Sequence, residues 1–245
     1  MKTRMILFSI CLIINQTAIA DTLMVIESSE GTLTTWANDK YIRANMKQAV
    51  NSETPSGPEG DMFGMLKTKK MYLIVDKEKI LIDLSNPMPM ANYPGMAEMG
   101  NMNKPPQIKV SYTNKRKGKV IAGLETTQYD FIAEGKKCFD VFLTKNKAYS
   151  KIIQDFDSLE SAEGDTDGGL CEQAEIQQDS DLAKQFGQPV KMIDANGKIT
   201  MELKKFKTNT TAPKNYLALP KGYQVMTIMD AMSKAMKDGT IKYNQ

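Results

Sequence analysis

From Leu23 to Lys145 the chain is built of short runs rich in Val, Ile, Thr and aromatic residues. Apolar and polar positions alternate within them, and turn signals separate them, the pattern of half-buried strands. Leu23–Ser28 predicts a strand turned by Glu30-Gly31. Thr32–Trp36 and Tyr41–Met46 predict a hairpin around Asn38-Asp39, and Met71–Val75 with Ile80–Leu84 a second one around Asp76–Lys79. Between the two hairpins, Asn51–Asp61 reads as a polar Gly/Pro loop. Ile108–Thr113, Lys119–Leu124, Thr126–Ala133 and Lys137–Lys145 continue the meander.

The period then changes. Ala148–Ala162 places Ile152, Ile153, Phe156 and Leu159 on one helical stripe. Gln173–Phe186 predicts a poorer helix, stopped by Gly187 and Pro189. Val190–Ile193 and Ile199–Phe206 read as a hairpin with an Asn-Gly turn. A last helix, Gln224–Lys237, carries Val225, Ile228, Met229, Met232 and Met236 on its apolar face. Strands segregated from helices predict an α+β protein with a large antiparallel sheet.

The first twenty residues follow a different rule. Lys2 and Arg4 precede the apolar run Ile6–Ile14, and Ala18-Ile19-Ala20 sets small residues at a cut site. This is the pattern of a cleaved signal peptide, 1–20, and the run is too short to cross a bilayer. The expected mature unit is one domain, 21–245, periplasmic or secreted. Past the leader there are 30 basic and 29 acidic residues. That balance gives no reason to expect nucleic acid as a partner, and the mature chain reads as soluble or peripheral to a membrane. Cys138 and Cys171 are then read as a disulfide.

The chain has no histidine. Triads that need an imidazole base and mixed Cys/His zinc sites are therefore excluded. No Ser-x-x-Lys, Walker or dinucleotide pattern occurs. The expectation is a non-enzyme that uses no cofactor. Asp165-x-Asp167-Gly168 has part of a calcium-loop pattern, but its twelfth position is Ala174 in place of Glu, which leaves an acidic turn. Asn209-Thr210-Thr211 fits a glycosylation acceptor, relevant only in a compartment that glycosylates.

Pro87–Pro106 concentrates Met88, Met90, Met96, Met99 and Met102 among Pro, Gly and Asn. Three readings stand side by side. The methionines pack on the sheet. They form an adaptable apolar lid, with Met88 and Met90 among the ligand-binding residues. Or Met96, Met99 and Met102 offer three thioethers to Cu(I) or Ag(I).

Gly31–Arg43, Met71–Leu84, Gly123–Leu143 and Leu219–Tyr223 (LPKGY) occur in a recurring order. That order resembles the exported carriers of the LolA-like superfamily, and an associated bacterial family of unknown function. The resemblance spans most of the mature chain. It implies a curved, incomplete antiparallel barrel with helices covering the concave face, and a hydrophobic small molecule, lipid or lipoprotein as partner. LolA carries an Arg that takes part in gating its cavity, and Arg43 is the candidate here. Trp36 reads as core or cavity lining, and Met229 and Met232 as further lining. The Met-rich segment has no counterpart in the family pattern. An envelope docking module is a third functional reading.

Overall fold

The computed structural model describes residues 20–48, 60–85, 107–159, 169–176 and 180–237. Residues 1–19 of the expected leader, the Met-rich segment and the acidic residues at 163–168 lie outside them, with every reading placed there. In chain order the described elements begin with strands β1 (Asp21–Ser28), β2 (Gly31–Ala37), β3 (Tyr41–Gln48), β4 (Gly60–Met65), β5 (Lys70–Val75) and β6 (Ile80–Asp83). Then come β7 (Val110–Lys117), β8 (Thr127–Ala133), β9 (Lys136–Thr144) and the helices α1 (Lys147–Asp157), α2 (Leu170–Ile176) and α3 (Ser180–Phe186). β10 (Gln188–Asp194), β11 (Ile199–Thr210), β12 (Gln224–Thr227) and α4 (Ile228–Lys237) complete the series.

The strands form one open sheet of twelve, in the order β12-β6-β5-β4-β3-β2-β1-β11-β10-β9-β8-β7. It is α+β and does not close into a barrel. Neighbours pair antiparallel, except that β12 runs parallel to β6. The central seam joins the first described strand to a late one: Asp21 pairs with Thr210 and Met24 with Phe206.

Alternation along the strands gives the sheet two faces. Met24, Ala37, Ile42, Phe142 and Leu203 build one core with Tyr149 and Ile152 of α1. The stripe predicted from period 3.6 is the contact surface, and Asn146 caps the helix by accepting from the Tyr149 backbone N–H. Leu159, just past α1, packs where Gly64 of β4 leaves room: a Cβ there would lie 2.2 Å from Leu159 Cδ1. Val141 and Leu143, one residue either side of Phe142, belong to a second core on the opposite face, with Phe131, Phe139, Ala174 of α2 and Phe186 of α3. Cys138 and Cys171 form a disulfide, which ties α2 to β9. At the far end of that face Phe63, Tyr72, Ile74 and Leu81 make a third, smaller core. The helices thus divide between the two faces.

Several element boundaries differ from the sequence-based reading: β7 runs on to Lys117, and in place of one helix over Gln173–Phe186 the described helices are Leu170–Ile176 and Ser180–Phe186. Gly60–Met65 is a strand rather than the tail of a loop plus an unassigned stretch. Lys119–Leu124 is a turn, held by reciprocal Ile121–Leu124 backbone bonds of 3.0 and 2.8 Å. Ala122 and Gly123 there take the left-handed conformation, at φ 48° and 83°. Gln224–Thr227 is a strand preceding the final helix, not its first turn. Thr227 explains the last boundary: its Oγ1 accepts from the Asp230 backbone N–H (3.1 Å) and bonds the Asp230 carboxylate (2.8 Å). This is a capping box that starts the helix at Ile228.

Candidate functional site

β11 ends beside β1 in mid-sheet, whereas β12 lies beyond β6 at an edge. Residues 211–223 must therefore cross the strands between as a strap. Arg43 marks the face they take. It is the register partner of Trp36 on β2 and of Phe63 on β4, so these side chains share a face, opposite α1.

Polar contacts tie down the strap at both ends and in the middle. The Ala212 backbone N–H donates to Asp21 Oδ2 (2.8 Å), while Asp21 Oδ1 accepts from Asn38 (3.1 Å). Arg43 Nη1 donates to the Tyr216 carbonyl (3.1 Å), and its guanidinium lies 4.4 Å from the centroid of the Tyr216 ring. Arg43 Nε donates to Asp61 Oδ2 (2.8 Å), which Nη2 also contacts, and Asn45 donates to Asp61 Oδ1 (2.6 Å). The pair is mostly shielded, at 13% and 14% side-chain exposure. Burial and the Asp61 charge push the Tyr216 phenol up, against the opposing pull of Arg43. Leu219 and Tyr223 pack on the Phe63 and Tyr72 core, and the Tyr223 hydroxyl donates to Asp76 (2.7 Å).

Among the described residues, two open clefts lie elsewhere, both with polar groups on their rims. One, of about 510 Å³, is lined by Thr126, Thr127, Thr144, Lys145 and Asn146 among others. The second, of about 420 Å³, lies between the 119–122 turn and β10–β11, with Lys119, Lys191, Glu202 and Lys204 beside Val120 and Phe142. Glu202 bonds Lys191 (2.7 Å) and also contacts Lys204, and these bonds hold its carboxyl below the usual range. At the β7 edge Arg116 bonds Asp130 (2.6 Å) and Asp140 (2.8 Å), and Lys137 bonds both at 3.0 Å. The Arg116 bond first, and then that of Asn114, hold the Asp130 carboxyl far below its ordinary value. These charges compensate one another and fasten β7 to its neighbours. Among the described residues, no group of three or more His, Cys, Asp or Glu could hold a metal.

The residues proposed from sequence fall in different places. Trp36 and Arg43 are brought together under the strap side of the sheet. Met229 and Met232 lie on α4, against β12 and β6 rather than beside Arg43, and Met229 is 41% exposed. Met88, Met90, Met96, Met99 and Met102 lie outside the described residues. Asp61, Tyr216 and Tyr223, which complete the Arg43 site, had no signal in the sequence beyond the LPKGY element. Arg43 and Tyr216 are 173 positions apart.

No family model matches the chain, and no curated protein matches it. Among solved structures, PNGF-II in its C2 form has a TM-score of 0.40 at 12% identity over 90% of this chain. The Pseudomonas aeruginosa MucA/MucB complex gives 0.34 at 9% over 86%, and the crystal structure of MucB 0.32 at 9% over 85%. The chain spans 33% of the PNGF-II chain, and 59% and 60% of the other two.

Proposed function

We propose that the protein is an exported, non-catalytic binding module that docks a polypeptide partner, a lipoprotein among the possibilities, on its open sheet. The observation that carries this reading is the packing under α1. Tyr149, Ile42, Leu203 and Val190 are fully buried there and fill the face that a carrier would keep hollow for an acyl chain. Tyr149 further donates its hydroxyl to the Pro189 carbonyl (2.8 Å), which locks the helix to β10. Binding then falls to the outer surfaces and edges of the sheet. The LolA-like order of motifs supports the same general class, and the leader supports the address.

A second reading, reversible binding of an apolar small molecule or lipid, is favoured by one patch. Val225 and Met229 stand 57% and 41% exposed at the β12–α4 end, and such a patch suits an apolar guest.

Site-directed photocrosslinking in cells, with probes on the strap and on β12, separates the two. The docking reading expects one discrete crosslinked polypeptide, dependent on probe position. Native mass spectrometry showing a stoichiometric lipid adduct, without such a crosslink, overturns it for the carrier.

A further inference from the structure

The β12–β6 pair differs from the other pairs in the described sheet. It is parallel, the weaker arrangement per residue, and like the β5–β6 pair it covers four positions, Gln224–Ile80 to Thr227–Asp83. Three of the four β12 residues are exposed, so the strand is held mainly by its backbone bonds, such as Gln224 N–H to the Lys79 carbonyl (2.9 Å). The strand it covers is the reverse. Ile80 and Leu81 are 5% and 3% exposed, and Leu81 belongs to the Phe63–Tyr72 core. Uncovered, that edge is a row of unpaired backbone groups on an apolar strand, a template for another chain.

β12 is also a short, mostly exposed edge strand. It lies between the strap and α4, and the side-chain bonds that flank it are solvent-exposed: Tyr223 to Asp76, Thr227 to Asp230 and Lys234 to Glu78 (2.8 Å). Exposed pairs of this kind contribute little.

We infer that the β6 edge is a strand-addition site which β12 occupies in competition with an extended, apolar segment of the partner polypeptide. The chain's own Gln-Val-Met-Thr is the template for that segment: backbone pairing supplies affinity, and the side chains on alternate positions supply selectivity. The inference rests on the docking reading only for the polypeptide nature of the partner.

The test uses the full chain and a labelled synthetic peptide of residues 224–237 as the probe. Saturable binding to the wild-type chain is expected, with loss when the peptide carries Met226→Pro, since proline cannot complete a ladder. Ile82→Cys with Met226→Cys, register partners, locks β12 in place and should weaken binding at least about tenfold. The single-cysteine chains should bind as wild type. In parallel, β12 amides should exchange with solvent far faster than those of β1 and β11. Failure of the peptide to bind wild type, equal binding to the locked chain, or β12 exchange as slow as that of β1 each overturns the inference. A partner crosslinked equally by wild-type and locked chains leaves docking standing and removes strand exchange.

Discussion

The Arg43 guanidinium stacks 4.4 Å from the Tyr216 ring centroid and donates to the Tyr216 carbonyl, while the same group bonds Asp61. One side chain therefore joins β3, β4 and the strap. Replacement by Lys keeps the charge but loses the planar fork and the stacking. Arg43→Lys is expected to cost about 1–2 kcal/mol in chemical denaturation, and Arg43→Met about 2–4 kcal/mol because Asp61 is left shielded with Asn45 but without its counter-charge. Limited proteolysis should cut both variants first within 211–223.

Thr35 is fully buried, and its Oγ1 has no hydrogen-bond partner among the described residues. Burying a hydroxyl without a partner is costly. Thr35→Val, which keeps the shape, is expected to stabilise the chain by about 1 kcal/mol. A lower denaturation midpoint for this variant would show that the hydroxyl is bonded.

The Cys138–Cys171 bridge spans 33 positions. Chain entropy places its contribution at about 3–4 kcal/mol. Cys171→Ala should lower stability by that order. Hydrogen exchange should rise first in α2 and spare α1, which packs on the other face.

Asp130 gives the sheet a pH dependence of definite sign. Its side chain is 7% exposed, and its partners hold the carboxyl below the ordinary value near 4. A depressed carboxyl stabilises at pH above its unfolded value and loses that contribution as pH falls. Asp130→Asn should cost about 2 kcal/mol at neutral pH. The gap between the two denaturation curves should narrow progressively below about pH 4.

Gly64 faces Leu159 and Ile42 with no space for a methyl: a Cβ would meet Ile42 Cγ2 at 2.6 Å. Gly64→Ala is expected to cost about 1–3 kcal/mol by overpacking. Adding Leu159→Ala should recover part of the loss, read from the double-mutant cycle.

The sheet was legible where local pattern and burial agree. Asn38 turns its hairpin by accepting from the Lys40 and Tyr41 N–H groups. The α1 stripe points inward, and the cysteines pair. Gly60–Met65 was not legible because Gly60, Asp61 and Gly64 are poor strand formers, and Asp61 is there for Arg43. Val225 and Met226 suit a helical face as well as a strand, so only the Thr227–Asp230 box decides between them. The Arg43 site was hardest to read, since its partners come from strands and a strap that only the fold brings together.

The seam at the middle of the sheet has a kinetic consequence. β1 pairs with β11, and Asp21 waits for Thr210. Until that late strand arrives, the molecule is two half-sheets, each with a bare inner edge. Long-range pairing of this kind is slow and leaves sticky edges uncovered. A chain stalled short of β11 should therefore be a substrate for holding chaperones and proteases, and joining the two halves is the event that ends this exposure.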